Sequence, residues 1–147
     1  MLNTLDRFER LFVYTAFSIQ LLLLLYFAFR KWRFDMALRV GWIVYALAIP
    51  ALVVSILLLR GGMPWSLWLG GFLFSLWAAY GLYIDLLRAL PWRHPIVWPV
   101  FIPYIFLYLG SLMFYWFPLG NLRRELWFMY AVLFLISSFF NITSHLW

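Results

Sequence analysis

Residues Leu11–Phe29 read LFVYTAFSIQLLLLLYFAF, a stretch without a single charged side chain. As a helix rising 1.5 Å per residue it would be about 28 Å long, close to the hydrocarbon thickness of a bilayer. It is too long for the apolar core of a signal peptide and is followed by Arg30-Lys31 rather than by small residues. It therefore reads as a retained first membrane span. Four further segments have the same character: Val40–Leu59, Trp65–Ile84, Ile96–Phe117 and Leu126–Ile142, the last continuing toward Trp147. None of them contains Asp, Glu, Lys or Arg.

Composition agrees with that reading. Of 147 residues 67% are apolar and 11% are charged, against about 25% charged in an average soluble domain. A soluble fold of this size exposes too much of its surface to hide so much hydrocarbon. A disordered chain would be polar, and membrane β-strands would be short and alternate in polarity. The connecting stretches Arg30–Arg39, Arg60–Pro64, Asp85–Pro95 and Pro118–Glu125 leave no room for an extramembrane domain. The expected fold is all-α: one polytopic membrane domain over residues 1–147, with five transmembrane helices and short loops.

Eleven Lys and Arg face five Asp and Glu, a formal net charge of +6. In a soluble protein this would suggest nucleic acid. Here the cations lie between apolar runs, where they meet anionic headgroups and set orientation. Arg30, Lys31, Arg33, Arg39, Arg88 and Arg93 fall on one side of five spans, and Arg7, Arg10, Arg60, Arg123 and Arg124 on the other. The first span has four cations after it and two before it, which favours an amino terminus outside and a carboxyl terminus in the cytoplasm. The Arg123–Arg124 pair opposes that assignment. The absence of cysteine excludes thiolate chemistry and disulfides.

Nine of the ten tryptophans (Trp32, Trp42, Trp65, Trp68, Trp92, Trp98, Trp116, Trp127 and Trp147) lie near span ends, where indole rings prefer the interface. Within the spans, Gly71, Ser75 and Ala79 form a small-residue ladder, and Ala51 and Ser55 offer the same spacing in the second span. Such ladders let helices approach closely. The expected pairing is span two on span three, with Gly110 and Ser111 of span four nearby. A seam for a second copy or another protein is the alternative. Pro50 is expected to free the carbonyl of Ala46, and Pro103 that of Pro99, because proline has no N–H to donate.

Ser137, Asn141 and His145 recur every four residues and share one helical face. Polar groups in a lipid-embedded helix turn inward or toward a partner. This stripe, within the cluster Ser137, Ser138, Asn141, Thr143, Ser144 and His145, is the candidate ligand, proton or pigment site. Its plain reading is interhelical hydrogen bonding, with Asn141 bonded away from lipid. The sequon Asn141-Ile142-Thr143 abuts an apolar helix and is not expected to be glycosylated. Asp85, His94 and His145 fall on one side of the membrane and are the residual candidates for a metal or haem, although their spacing matches no standard metal motif. Asp85 and Arg88, three residues apart, are expected to pair.

No span holds a carboxylate pair, and neither a HExxH nor a GxSxG motif nor a phosphate-cradling loop occurs. The spans also lack the charges that ion paths use. Gln20, Ser55, Ser75, Ser111 and Asn141 are the main intramembrane polar groups.

Size, span number and tryptophan content resemble the tryptophan-rich sensory proteins, a translocator family that binds porphyrins and sterols. That family's Pro-Pro and Trp-rich stretch between its first two helices has no counterpart in Arg30-Lys31-Trp32-Arg33-Phe34-Asp35. No residue role carries over; the resemblance implies only that a bundle of this form can hold a flat hydrophobic ligand.

Two functions fit these features. The first is a non-enzymatic subunit packing against a larger membrane complex, of the kind seen by analogy in bioenergetic assemblies. The second is a binder or carrier of a lipophilic molecule such as an isoprenoid, pigment, sterol or lipid. The sequence requires no cofactor; membrane lipids and other membrane subunits are the expected partners, nucleic acid is not.

Overall fold

The structure, a computed structural model, describes residues 5–84 and 97–146. Every regular element among them is a helix: α1 (Arg7–Trp32), α2 (Phe34–Ala46), α3 (Ala48–Arg60), α4 (Trp65–Leu82), α5 (Trp98–Leu122) and α6 (Arg124–Leu146).

Local chemistry sets their ends. Asp6 caps α1 by accepting from the Glu9 N–H at 2.8 Å, while the Glu9 carboxylate accepts from the Asp6 N–H at 3.3 Å, a reciprocal capping box. The α1 terminus closes where the Arg33 N–H donates to the Phe29 carbonyl. The end of α3 is a Schellman turn: the Met63 N–H reaches the Leu58 carbonyl and the Gly62 N–H that of Leu59. Gly62 supplies the positive φ of 73° that this turn needs.

Several expected boundaries are corrected. The second span is two helices, α2 and α3, interrupted at Leu47. Pro50 has no N–H for the Ala46 carbonyl, and the break falls just after that residue. The expected loop Arg30–Arg39 is helical except at Arg33, and Pro118–Glu125 is helical except at Arg123. Pro118, placed in a loop from the sequence, lies inside α5, as do Pro99 and Pro103. A proline removes one helical donor without stopping a helix whose neighbours hold it.

Contacts gather into two compact units, Met1–Leu47 with Trp116–Trp147, and Ala48–Tyr115. In the first, α1 packs on α6 and on α2, around Phe12, Ala16, Leu23 and Tyr130. Here Phe17 meets Tyr130, Gln20 meets Leu133 and Trp32 meets Phe140. Residue numbers rise together along both helices, so α1 and α6 run parallel. In the second unit α3 packs on α4, antiparallel because Gly71 faces Ser55 while Ser75 reaches back to Ala48, and α4 meets α5 through aromatic side chains.

Four helical segments among the described residues are long and apolar enough to cross a membrane: Arg7–Trp32, Arg39–Arg60, Trp98–Leu122 and Arg124–Thr143. α4 has 18 residues, about 27 Å of helix, but Trp, Tyr, Ser and Gly dilute its hydropathy. The chain is an all-helical, multi-pass integral membrane protein.

Candidate functional site

The α6 stripe begins in the α1–α6 interface. Ser137 and Gln20 are 1% and 0% exposed, and the Gln20 side-chain amide donates across to the Leu133 carbonyl at 3.4 Å. Gln20 Oε1 and Ser137 Oγ are buried with no hydrogen-bond partner among the described residues. Four other hydroxyls bond back within their own helices. Thr15 donates to Leu11, Ser75 to Gly71, Ser111 to Tyr108 and Thr143 to Phe139, each at 2.8 Å. Such local bonds satisfy a hydroxyl without making a site. At Ser137 the equivalent carbonyl, that of Leu133, receives Gln20 instead.

Asn141 is half-buried. Each four-residue step along a helix turns 400°, so the face drifts by about 40° per step, and the stripe does not stay on the line set by Ser137. His145 belongs to α6, but its side chain lies outside the described part, as does that of Ser144. Asp85, Arg88 and His94 lie outside the described residues altogether. Among the described residues no three His, Asp or Glu side chains come together.

The small-residue residues divide. Gly71, Ala51 and Ser55 meet closely: a Cβ on Gly71 would overlap Ser55 Oγ and stand 2.8 Å from the Ala51 carbonyl oxygen. Ser75 also reaches the Ala48 carbonyl at 3.4 Å. Ala79, expected in this seam, is exposed, and Ala78 is buried instead. Eight residues advance 800°, about 80° past the starting face, whereas seven advance 700° and fall only about 20° short of it.

Sequence reasoning overlooked a buried aromatic cluster. Trp77 is 2% exposed, and its ring centroid lies 5.6 Å from Tyr104 and 5.5 Å from Tyr108 of α5. One turn on, the Tyr80 hydroxyl donates to the Val100 carbonyl at 2.9 Å. Trp77 was legible as the tryptophan far from a span end. Gly70 lets α4 approach the Phe114 backbone, whose carbonyl carbon would lie 3.2 Å from an added Cβ. Phe114 is the residue whose carbonyl Pro118 leaves without a helical donor.

Of the tryptophans expected at the interface, Trp32, Trp42, Trp65 and Trp98 are exposed. Trp116 and Trp127 instead pair, with centroids 5.0 Å apart and the Trp116 indole N–H donating to the Trp127 carbonyl. Around Lys31, the rings of Trp32, Phe139 and Phe140 gather within 6 Å of the ammonium. No protein family, curated protein or solved structure matches this chain, so the likeness to tryptophan-rich sensory proteins is one of composition.

Proposed function

We propose that the chain is a non-enzymatic membrane subunit that packs against a larger membrane assembly. The observation that carries this reading is how little of each span the chain covers itself. In the apolar windows of the four candidate spans, 39% of residues are buried for Arg7–Trp32 and 22% for each of the others. Large side chains such as Ile49, Phe106 and Leu135 look outward at 68%, 72% and 66% exposure. The loops read from the sequence are too short to act alone, and the apolar stretches Leu11–Phe29, Val40–Leu59, Trp65–Ile84, Ile96–Phe117 and Leu126–Ile142 hold no charged group for acid–base chemistry or ion passage. An outward apolar surface is then the means by which the protein acts.

The test is extraction of the chain from its own membrane, at native expression, in a mild detergent, with size analysis and identification of co-purifying proteins. A stable assembly much larger than 17.7 kDa, with defined partners, supports the reading. A monodisperse monomer overturns it. If that monomer carries a stoichiometric isoprenoid, pigment or sterol, the function is carriage of a lipophilic molecule.

A further inference from the structure

At the end of α1 the sequence Arg30-Lys31-Trp32-Arg33 places three cations beside one tryptophan, with Asp35 as the nearby acid. The Lys31 ammonium lies 4.9 Å from the ring centroid of Phe139, 5.4 Å from Trp32 and 5.9 Å from Phe140. Trp32 and Phe140 pack edge to face with centroids 5.0 Å apart, so α1 and α6 build the cradle together. Elsewhere Arg7 and Arg124 each meet one ring at 6.0 Å.

Cations in the last turn of a helix offset its dipole, which accounts for Arg30 and Lys31 but not for the rings. Cation–π contacts hold an ammonium in place through the ring quadrupole, and the rings bring no formal charge. The Arg33–Asp35 pair at 3.8 Å has both side chains about two thirds exposed, so it is weak and screened. Beside the cradle, Leu135, Phe139 and Ile142 are spaced for one face of α6 and are 66%, 58% and 61% exposed. Cations held at the end of a span, next to an exposed apolar stripe, match a molecule with a negative head and hydrocarbon tails.

We propose that this end of the α1–α6 pair binds an anionic phospholipid. Its phosphate engages Lys31, with Arg30 and Arg33 flanking it, and an acyl chain runs from Phe139 along Leu135. The phosphate accepts charge-assisted hydrogen bonds from the ammonium, while the rings fix the position of that ammonium. The inference rests on the membrane fold and not on the subunit assignment.

The experiment is native mass spectrometry of the full chain in a neutral detergent, titrated with phosphatidylglycerol or phosphatidylcholine. The first phosphatidylglycerol is expected to bind on the order of fivefold tighter than phosphatidylcholine, the worth of about one interfacial cation. Lys31→Gln should bring that ratio near one. Phe139→Leu, which keeps every charge, should lower it, and Lys31→Arg should retain it. Arg60→Gln, at another span end, should leave it unchanged. Equal binding of the two lipids, or an equal loss in Arg60→Gln and Lys31→Gln, overturns the site. So does a protein that crosslinks from position 31 while no lipid preference is found.

Discussion

At Gly71 a hydrogen atom in place of a methyl group sets how closely α3 and α4 approach. The Ser55 hydroxyl can rotate away from an added Cβ, but the Ala51 carbonyl at 2.8 Å and Ser55 Cβ at 2.9 Å are carried by the helix itself. Overpacking of this kind costs about 1–3 kcal/mol. Gly71→Ala should lower the stability of the detergent-solubilised protein by that amount, measured by thermal or denaturant unfolding. Gly110→Ala is the matched control: its methyl would meet only Leu73 Cδ1, at 3.8 Å. There the better helix propensity of alanine, up to about 1 kcal/mol, should leave stability unchanged or raised. Equal losses at the two glycines would mean that Gly71 holds no special place. Gln20 works differently, since its amide ties α1 to the α6 backbone 113 positions away. The facing helix offers its carbonyl to the Gln20 N–H, while the buried Oε1 keeps no partner among the described residues.

Prolines show where reading the helices from sequence succeeds and where it stops. Pro50 is exposed, so it shapes α2 and α3 through the backbone donor it lacks rather than through packing. Pro50→Ala should restore that donor to the Ala46 carbonyl, join α2 and α3 through Leu47, and give slow hydrogen exchange at the new amide of position 50. Fast exchange there would place the cause of the break elsewhere. The apolar runs, the Arg60–Pro64 connection and the Ala51–Ser55–Gly71 approach were legible because each depends on residues close in sequence or on side-chain size. The course of α5 through Pro118 was not, because whether a freed carbonyl is tolerated depends on which helix covers it, here α4 through Gly70. Ala79 was misplaced because a spacing of four drifts around a helix, and one extra turn is enough to leave the seam. The Lys31 cradle was hidden because Phe139 and Phe140 join Trp32 only through the tertiary pairing of α1 with α6. Nothing in the sequence of either helix specifies that pairing.

For the chain as a whole, the parallel course of α1 and α6 constrains the number of membrane crossings. Two spans point the same way only if an odd number of spans lies between them. The segment Arg39–Arg60 and α5 supply two, so the expectation is that α4 supplies the third despite its diluted hydropathy. Its 18 residues can cross a bilayer of about 30 Å if the interface adjusts to a small mismatch, and Trp65 at its start is exposed as an interfacial anchor would be. The consequence can be tested cleanly because the sequence holds no cysteine. Asp35→Cys, Gly61→Cys and Asn121→Cys each place one thiol at an exposed position. With five crossings, positions 61 and 121 share a side and position 35 lies opposite. On the orientation favoured by the cations that follow the first span, position 35 is expected in the cytoplasm. A membrane-impermeant maleimide should therefore label positions 61 and 121 in intact cells, and position 35 only after the membrane is opened. Labelling of 61 and 121 from opposite sides would mean that α4 does not cross, and the parallel pairing of α1 with α6 would fall with it.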